Sequence, residues 1–169
     1  MRRIIRRREL VADDARYADE GVTPGTRRVL PVVEYVAALA GAGAGADATP
    51  GALPDAILIG PTDDVEALAV DLHRLSLIVV EFPKIGEGRG FSQARLVRQR
   101  FRYRGELRAR GALKRDQLFF LARCGFDSFD LDPTENLEAA LGALDAFSVA
   151  YQDGSDELLH LQRRGASPA

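Results

Sequence analysis

From Asp55 onward the apolar positions alternate between short runs and helical stripes. AILIG at 56–60 is a short apolar run closed by Gly60-Pro61, the form of a strand. Asp63 with Glu66 spells a capping box, and Val65, Leu68, Ala69, Leu72 and Leu75 recur behind it at helical spacing. LIVVEF at 77–82 predicts a second strand. Residues 92–101 predict a second helix, with Ala94, Val97 and Phe101 inward and Arg95, Arg98 and Arg102 outward. ELRARG at 106–111 reads as a third strand, and residues 114–124 as a third helix stopped by Gly125 at C′. SFDLD at 128–132 is a fourth. Asp132-Pro133-Thr134-Glu135 then offers an N-cap, a Pro at N1 and a Glu at N3 to a helix burying Leu137, Ala140, Leu141, Leu144 and Phe147. VAYQ at 149–152 fits a fifth strand, and 157–162 a short helix before a GASPA tail.

Strand and helix taking turns in this way predict βαβ units and a parallel sheet of four to five strands. Successive strand residues face opposite sides. Leu107 and Ala109 oppose Glu106, Arg108 and Arg110; Phe129 and Leu131 oppose Ser128, Asp130 and Asp132; Val80 and Phe82 oppose Val79 and Glu81. A sheet covered by helices on both faces is apolar throughout its strands. One apolar and one charged face therefore predict helices mainly on one side, as in a partial TIM-like (βα) barrel with a charged concave wall. The alternative is an open three-layer α/β sheet whose charges sit at strand ends.

The first 54 residues are less regular. Residues 3–11 fit an edge strand guarded by arginines, and 32–40 a short helix or strand. GAGAGADATPGALP at 41–54 has the composition of a flexible linker. The expected organisation is an extension over 1–40, a linker over 41–54, a βα core over 55–152 and a tail over 153–169.

Charge adds a second pattern. Between Lys84 and Arg123 twelve Lys/Arg face three acids (Glu87, Glu106, Asp116), a local excess of nine positive charges in a chain whose net charge is −2. Such an excess suits an acidic partner surface or an anionic ligand. Nucleic acid fits poorly, because few aromatics interleave with the basic residues and no recognition motif appears. A single cysteine, Cys124, excludes an internal disulfide and a self-contained iron–sulfur or multi-cysteine zinc site. It lies at a helix end among apolar neighbours and reads as a packed core thiol. His73 and His160 make no metal set, and His73 reads as surface. No metal or cofactor is expected. No apolar run approaches the roughly 20 residues of a membrane span, and the basic start lacks a following apolar segment, so a cytoplasmic location is expected.

Two stretches could carry chemistry. The second strand runs into Pro83-Lys84-Ile85-Gly86-Glu87-Gly88-Arg89-Gly90, with Ser92 at a helix start. A Gly-rich turn between a parallel strand and a helix is where α/β proteins hold anions on free N–H groups. The candidate ligand or partner contacts are Lys84, Gly88, Arg89, Gly90, Ser92 and Arg95, backed by Arg108 and Gln117. The loop is neither a Walker A motif nor a full dinucleotide fingerprint. After the third strand, Lys114 and Arg115 open a helix against its dipole, which an anion or Asp116 would relieve. The candidates for catalysis are Asp116 and Glu81, with Arg108 and Asp130 on the same charged wall as Glu81.

Several runs taken together resemble a known bacterial family. They are Phe82-Pro83-Lys84, Gly88-Arg89-Gly90, Ser92-Gln93-Ala94-Arg95, Gly105-Glu106-Leu107-Arg108-Ala109, Asp116-Gln117-Leu118, Arg123-Cys124-Gly125-Phe126-Asp127 and Phe147-Ser148-Val149-Ala150-Tyr151-Gln152. The family is catalogued as domain of unknown function 934. The chain departs from it at Ile85-Gly86-Glu87, where an aromatic, Thr and Asp are usual, and at Gly111-Ala112-Leu113, where Gly-Asp-Val is usual. The resemblance implies a place beside sulfite reductase and other enzymes of sulfate assimilation, whose genes such genes commonly accompany, and the family is labelled an oxidoreductase of sulfite reduction. The chain itself carries no haem, flavin or cluster motif.

The leading expectation is an accessory protein of assimilatory sulfite reduction. It would bind sulfite reductase, its electron donor or an oxyanion through the basic Gly-rich loop. The alternative is a small (βα) enzyme acting on a small anionic substrate at the carboxyl-end rim of the sheet. A third reading is structural: an exposed inner wall pairs with a second copy of the chain. No membrane partner is expected.

Overall fold

The computed structural model describes residues 2–17, 20, 24–41, 54–68 and 72–145. Residues 42–53 of the expected 41–54 linker, the expected strand at 149–152, the helix at 157–162 and the tail lie outside them, while Gly41 ends the first helix. The fold is mixed α/β, built on one eight-stranded sheet in the order β2-β1-β8-β7-β6-β5-β4-β3. Its strands are β1 (Arg3–Arg6), β2 (Glu9–Ala12), β3 (Ala15–Arg16), β4 (Arg27–Pro31), β5 (Ala56–Ile59), β6 (Leu77–Phe82), β7 (Glu106–Gly111) and β8 (Ser128–Asp130). The helices are α1 (Val32–Gly41), α2 (Arg89–Arg95), α3 (Leu118–Arg123) and α4 (Leu137–Asp145). Strands β3 to β8 run parallel, and the β1–β2 hairpin lies antiparallel against β8.

The sheet thus has eight strands where four to five were expected, because the first 31 residues contribute four of them. Residues 3–11 are a hairpin, not one strand; Arg7 and Arg8 form its tip, both at positive φ (48° and 64°). Two-residue hairpin turns need that hand to follow the twist of the strands.

Chain connectivity forces the sheet to curl. β2 and β3 stand at opposite ends of the strand order, yet only Asp13 and Asp14 separate them. Three virtual bonds span at most about 11 Å. Eight strands laid flat would put the two edges roughly 34 Å apart. The edges therefore meet, as in a partial barrel. Segment 9–16 is bonded along its length, first to β1 and then to β4. The Asp13 N–H donates to the Arg2 carbonyl at 2.8 Å, and the Arg27 N–H donates to the Asp14 carbonyl at 2.7 Å.

The convex face holds the main core. Ile5, Leu30, Ile57, Ile59, Ile78, Val80, Phe82, Leu107, Ala109 and Phe129 pack there against residues of all four helices. The concave face holds a smaller apolar cluster of Ala15, Tyr17, Val29, Ala56, Leu77 and Val79. The remaining inward positions on β7 and β8 are charged or polar: Glu106, Arg108, Arg110, Ser128 and Asp130. This is the charged inner wall that strand alternation predicts.

Three local expectations change. The stripe at 63–75 is buried at Val65, Leu68, Leu72 and Leu75, but its described parts are two 3₁₀ turns, Glu66–Leu68 and Leu72–Arg74. The Asp63 carboxylate accepts from the Gly60 N–H, and that of Asp64 from the Glu66 N–H, so neither serves a capping box. The fourth helix is capped by Asn136, whose side chain accepts from the Ala139 N–H at 2.8 Å; Asp132 instead closes a turn onto Thr134. The helix after β6 begins at Arg89 and ends in a π-helical turn, Leu96–Arg100. That turn carries Arg98 inward. Its guanidinium donates to the carbonyls of Gly125, Tyr103 and Gly105, each at 2.8 Å, so it is a staple and not part of a solvated stripe. Among the described residues no helix is long and apolar enough to cross a membrane.

Candidate functional site

Two regions collect the candidate residues. The first is the loop between β6 and α2. The Glu87 N–H donates to the Lys84 carbonyl, with Gly86 at φ 90° in the third position, the signature of a type II turn. Gly90 is buried where α2 meets the Phe82 ring; a Cβ there would lie 2.5 Å from that ring. Lys84, Gly88, Arg89, Ser92 and Arg95 are all exposed. The Arg89 N–H is taken by the Glu87 carboxylate at 3.2 Å, so the start of α2 already has an anionic cap of its own. Lys84, Arg89 and Arg95 have no ion-pair partner among the described residues. Beside them Ile85 and Phe120 are exposed at 67% and 48%, and Phe120 packs on the half-buried Phe91, centroids 4.9 Å apart.

The second region is the concave wall, where Arg108 is fully buried. Its guanidinium donates to Asp13 at 2.8 Å, to Glu106 at 2.8 and 3.1 Å and to Ser128 at 3.2 Å. Toward the amino ends of the parallel strands, Glu106 also pairs with Arg27 at 2.7 Å and with Arg6 at 3.3 Å. Asp14 bridges those same two arginines at 2.7 and 2.5 Å. Burial pushes the Asp13, Asp14 and Glu106 carboxyls up, but their arginine partners outweigh it and hold all three below their ordinary values.

Toward the carboxyl ends the wall changes character. Arg110 stacks on the Tyr17 ring, its Cζ 3.4 Å from the centroid, and Arg2 covers the same ring at 5.3 Å. Asp130 stands 3.4 Å from Arg110 and 3.6 Å from Arg2, and its side chain accepts no hydrogen bond among the described residues. Burial pushes its carboxyl above the ordinary value, aided by Asp13, against the pull of Arg2, Arg110 and Arg108. Glu81 is half-buried, opposite Arg110 in the β6–β7 register, with no ion pair among the described residues.

The structure therefore brings Glu81, Arg108 and Asp130 onto one wall and leaves the loop residues on the outside. Gln117 and Asp116 belong to neither group. The Gln117 side chain accepts from the Lys114 N–H at 3.0 Å and closes the turn after β7, and Asp116 is exposed beside it. Arg2, Arg6, Asp13, Asp14, Tyr17 and Arg27 escape the sequence reading. The only local signal was the inward alternation of Asp13, Ala15 and Tyr17, which has no meaning until the sheet is known to curl. Cys124 is buried and His73 exposed, as expected.

A family model described as bacterial protein of unknown function (DUF934) matches residues 56–161, more than half of the chain. No curated protein and no solved structure matches it.

Proposed function

We propose that this chain, which belongs to the DUF934 family, is an accessory protein of assimilatory sulfite reduction that docks on an acidic surface of sulfite reductase through the loop after β6 and the exposed face of α2. The observation that carries the docking is a contrast in charge pairing. Arg27 and Arg108 of the concave wall are matched by the buried carboxylates of Glu106 and Asp13, whereas Lys84, Arg89 and Arg95 face solvent unpaired among the described residues. Unpaired cations steer an acidic partner and set its orientation. The exposed Ile85 and Phe120 supply the apolar contact that an interface core needs. The pathway comes from the family's usual genetic company.

Size-exclusion chromatography of the chain with sulfite reductase tests the reading. Co-elution that weakens with salt and disappears in the Lys84→Glu/Arg89→Glu/Arg95→Glu triple variant supports it. Independent elution of the two wild-type proteins, or equal binding by the variant, refutes it. A second reading, a small (βα) enzyme for a small anionic substrate, draws on Glu81 and Asp130 at the carboxyl-end rim, where barrel sites form.

A further inference from the structure

The inner wall is satisfied at one end and unsatisfied at the other. Each of the three Arg108 guanidinium nitrogens donates to a carboxylate or hydroxyl. One layer higher, Tyr17 is 3% exposed and its hydroxyl has no hydrogen bond of good geometry. Asp130, 7% exposed, accepts none, and Arg110 donates none among the described residues. The ion pairs of Asp130 to Arg110 and Arg2, at 3.4 and 3.6 Å, are longer than the roughly 2.7–2.9 Å of a charge-assisted hydrogen bond. Arg2 is instead anchored on the Asp13 carboxylate at 2.8 and 2.5 Å, so the unsaturated guanidinium edge of this layer is that of Arg110. Buried polar groups in native proteins are almost always bonded, and a cluster that is not calls for a partner. The Arg2 and Arg110 side chains are 35% and 25% exposed, so the layer opens to solvent at the carboxyl-end rim.

We propose that this layer is a binding site for one small oxyanion, with Arg110 as its principal cation, Arg2 as the second, and Tyr17 and Asp130 as flanking hydrogen-bonding groups. Tyr17 is the positioning element. Its ring carries Arg110 at 3.4 Å and Arg2 at 5.3 Å from its centroid, and its hydroxyl lies near Arg108, Arg110 and Asp130. Asp130 faces Arg2 and Asp13 from the amino-terminal strands, Arg108 and Arg110 from β7, and Tyr17. An anion entering between it and Arg110 adds negative charge next to a carboxyl that burial already pushes up. Binding therefore takes up a proton at Asp130, which then donates to the anion. Glu81, opposite Arg110, disfavours multiply charged anions and sets a preference for monoanions.

Isothermal titration of the full chain with phosphate, sulfate and acetate, at constant ionic strength, tests the site. At least one anion is expected to bind with saturation at one per chain. Affinity should rise as pH falls toward the ordinary carboxylate range. Arg110→Met should weaken binding by about tenfold or more, the loss expected for a charged hydrogen-bonding partner. Tyr17→Phe should weaken it by a smaller factor, because it removes the hydroxyl and keeps the ring on which Arg110 stacks. Asp130→Asn should bind more tightly at neutral pH and lose the pH dependence. Absence of saturable binding by all three anions overturns the proposal. So does unchanged affinity in both Arg110→Met and Tyr17→Phe, or a loss confined to Arg89→Glu, which would move the anion to the outer loop. The docking reading is independent of this outcome, since its residues lie on the other face of the sheet.

Discussion

Arg108 and Asp13, 95 residues apart in the chain, meet at 2.8 Å with both side chains fully buried. Arg108 lies on a central strand; Asp13 lies in the two-residue link where the sheet's edges come together. The pair ties the middle of the sheet to its own closure. Glu106, Arg27, Asp14 and Arg6 extend the tie along the same seam.

Breaking that pair should be costly in either direction. Arg108→Met leaves Asp13 and Glu106 buried without their main cation, and Asp13→Asn leaves Arg108 short of a counter-charge. Each is expected to destabilise the fold by about 3–5 kcal/mol, the range for a buried pair that loses one partner. The double variant should lose less than the sum of the two, because it strands fewer charges. Urea denaturation of the two singles and the double measures all three; additive losses would show that the pair does not act as a unit.

The same carboxylates set the pH dependence of stability. Asp13, Asp14 and Glu106 are held below their ordinary values, so their stabilisation is complete above the ordinary carboxylate range and is lost as pH falls through their folded values. Asp127 and Asp130 are displaced the other way, chiefly by burial. They bind protons more readily in the folded chain, so stability rises as pH falls through their folded values toward the ordinary range near about 4. The expected profile climbs on mild acidification and then collapses. Thermal melts across pH should show the climb reduced in Asp130→Asn and the acid collapse softened in Asp13→Asn.

Two glycines of similar sequence context should respond differently. Gly111 ends β7 at φ 126°, and a Cβ there would stand 2.3 Å from the Phe82 carbonyl oxygen, a backbone atom that cannot swing away. Gly88 has φ −88° and open space around its Cβ position. Gly111→Ala is expected to cost about 2 kcal/mol or more, combining strain at positive φ with a backbone clash. Gly88→Ala should be neutral within about 0.5 kcal/mol. Denaturation midpoints of the two variants decide the matter.

The parallel strands from Ala56 to Asp130 were legible because β5 and β6 are apolar runs, and β7 and β8 alternate apolar with polar residues. The charged inner wall was legible for a related reason: Glu106, Arg108 and Arg110 alternate with Leu107 and Ala109, and that period needs no knowledge of the fold. What defines the wall's chemistry was not. Asp13 and Tyr17 reach Arg108 and Arg110 only through a closure that depends on strand order, and strand order leaves no mark in a local window. Arg98 pointed outward at helical spacing until the π turn rotated it in. Among the chosen residues, Arg108, Glu81 and Asp130 share the wall. Asp116 and Gln117 do not, because they follow β7 into the outer turn where Gln117 caps Lys114.

The proposed docking role in sulfite reduction can be read from growth of a deletion strain on sulfate, sulfite or sulfide as sole sulfur source. Failure on sulfate and sulfite is expected, with growth on sulfide, rescue by the wild-type gene and no rescue by the Lys84→Glu/Arg89→Glu/Arg95→Glu variant. Normal growth of the deletion strain on all three sources, or full rescue by the variant, would contradict it.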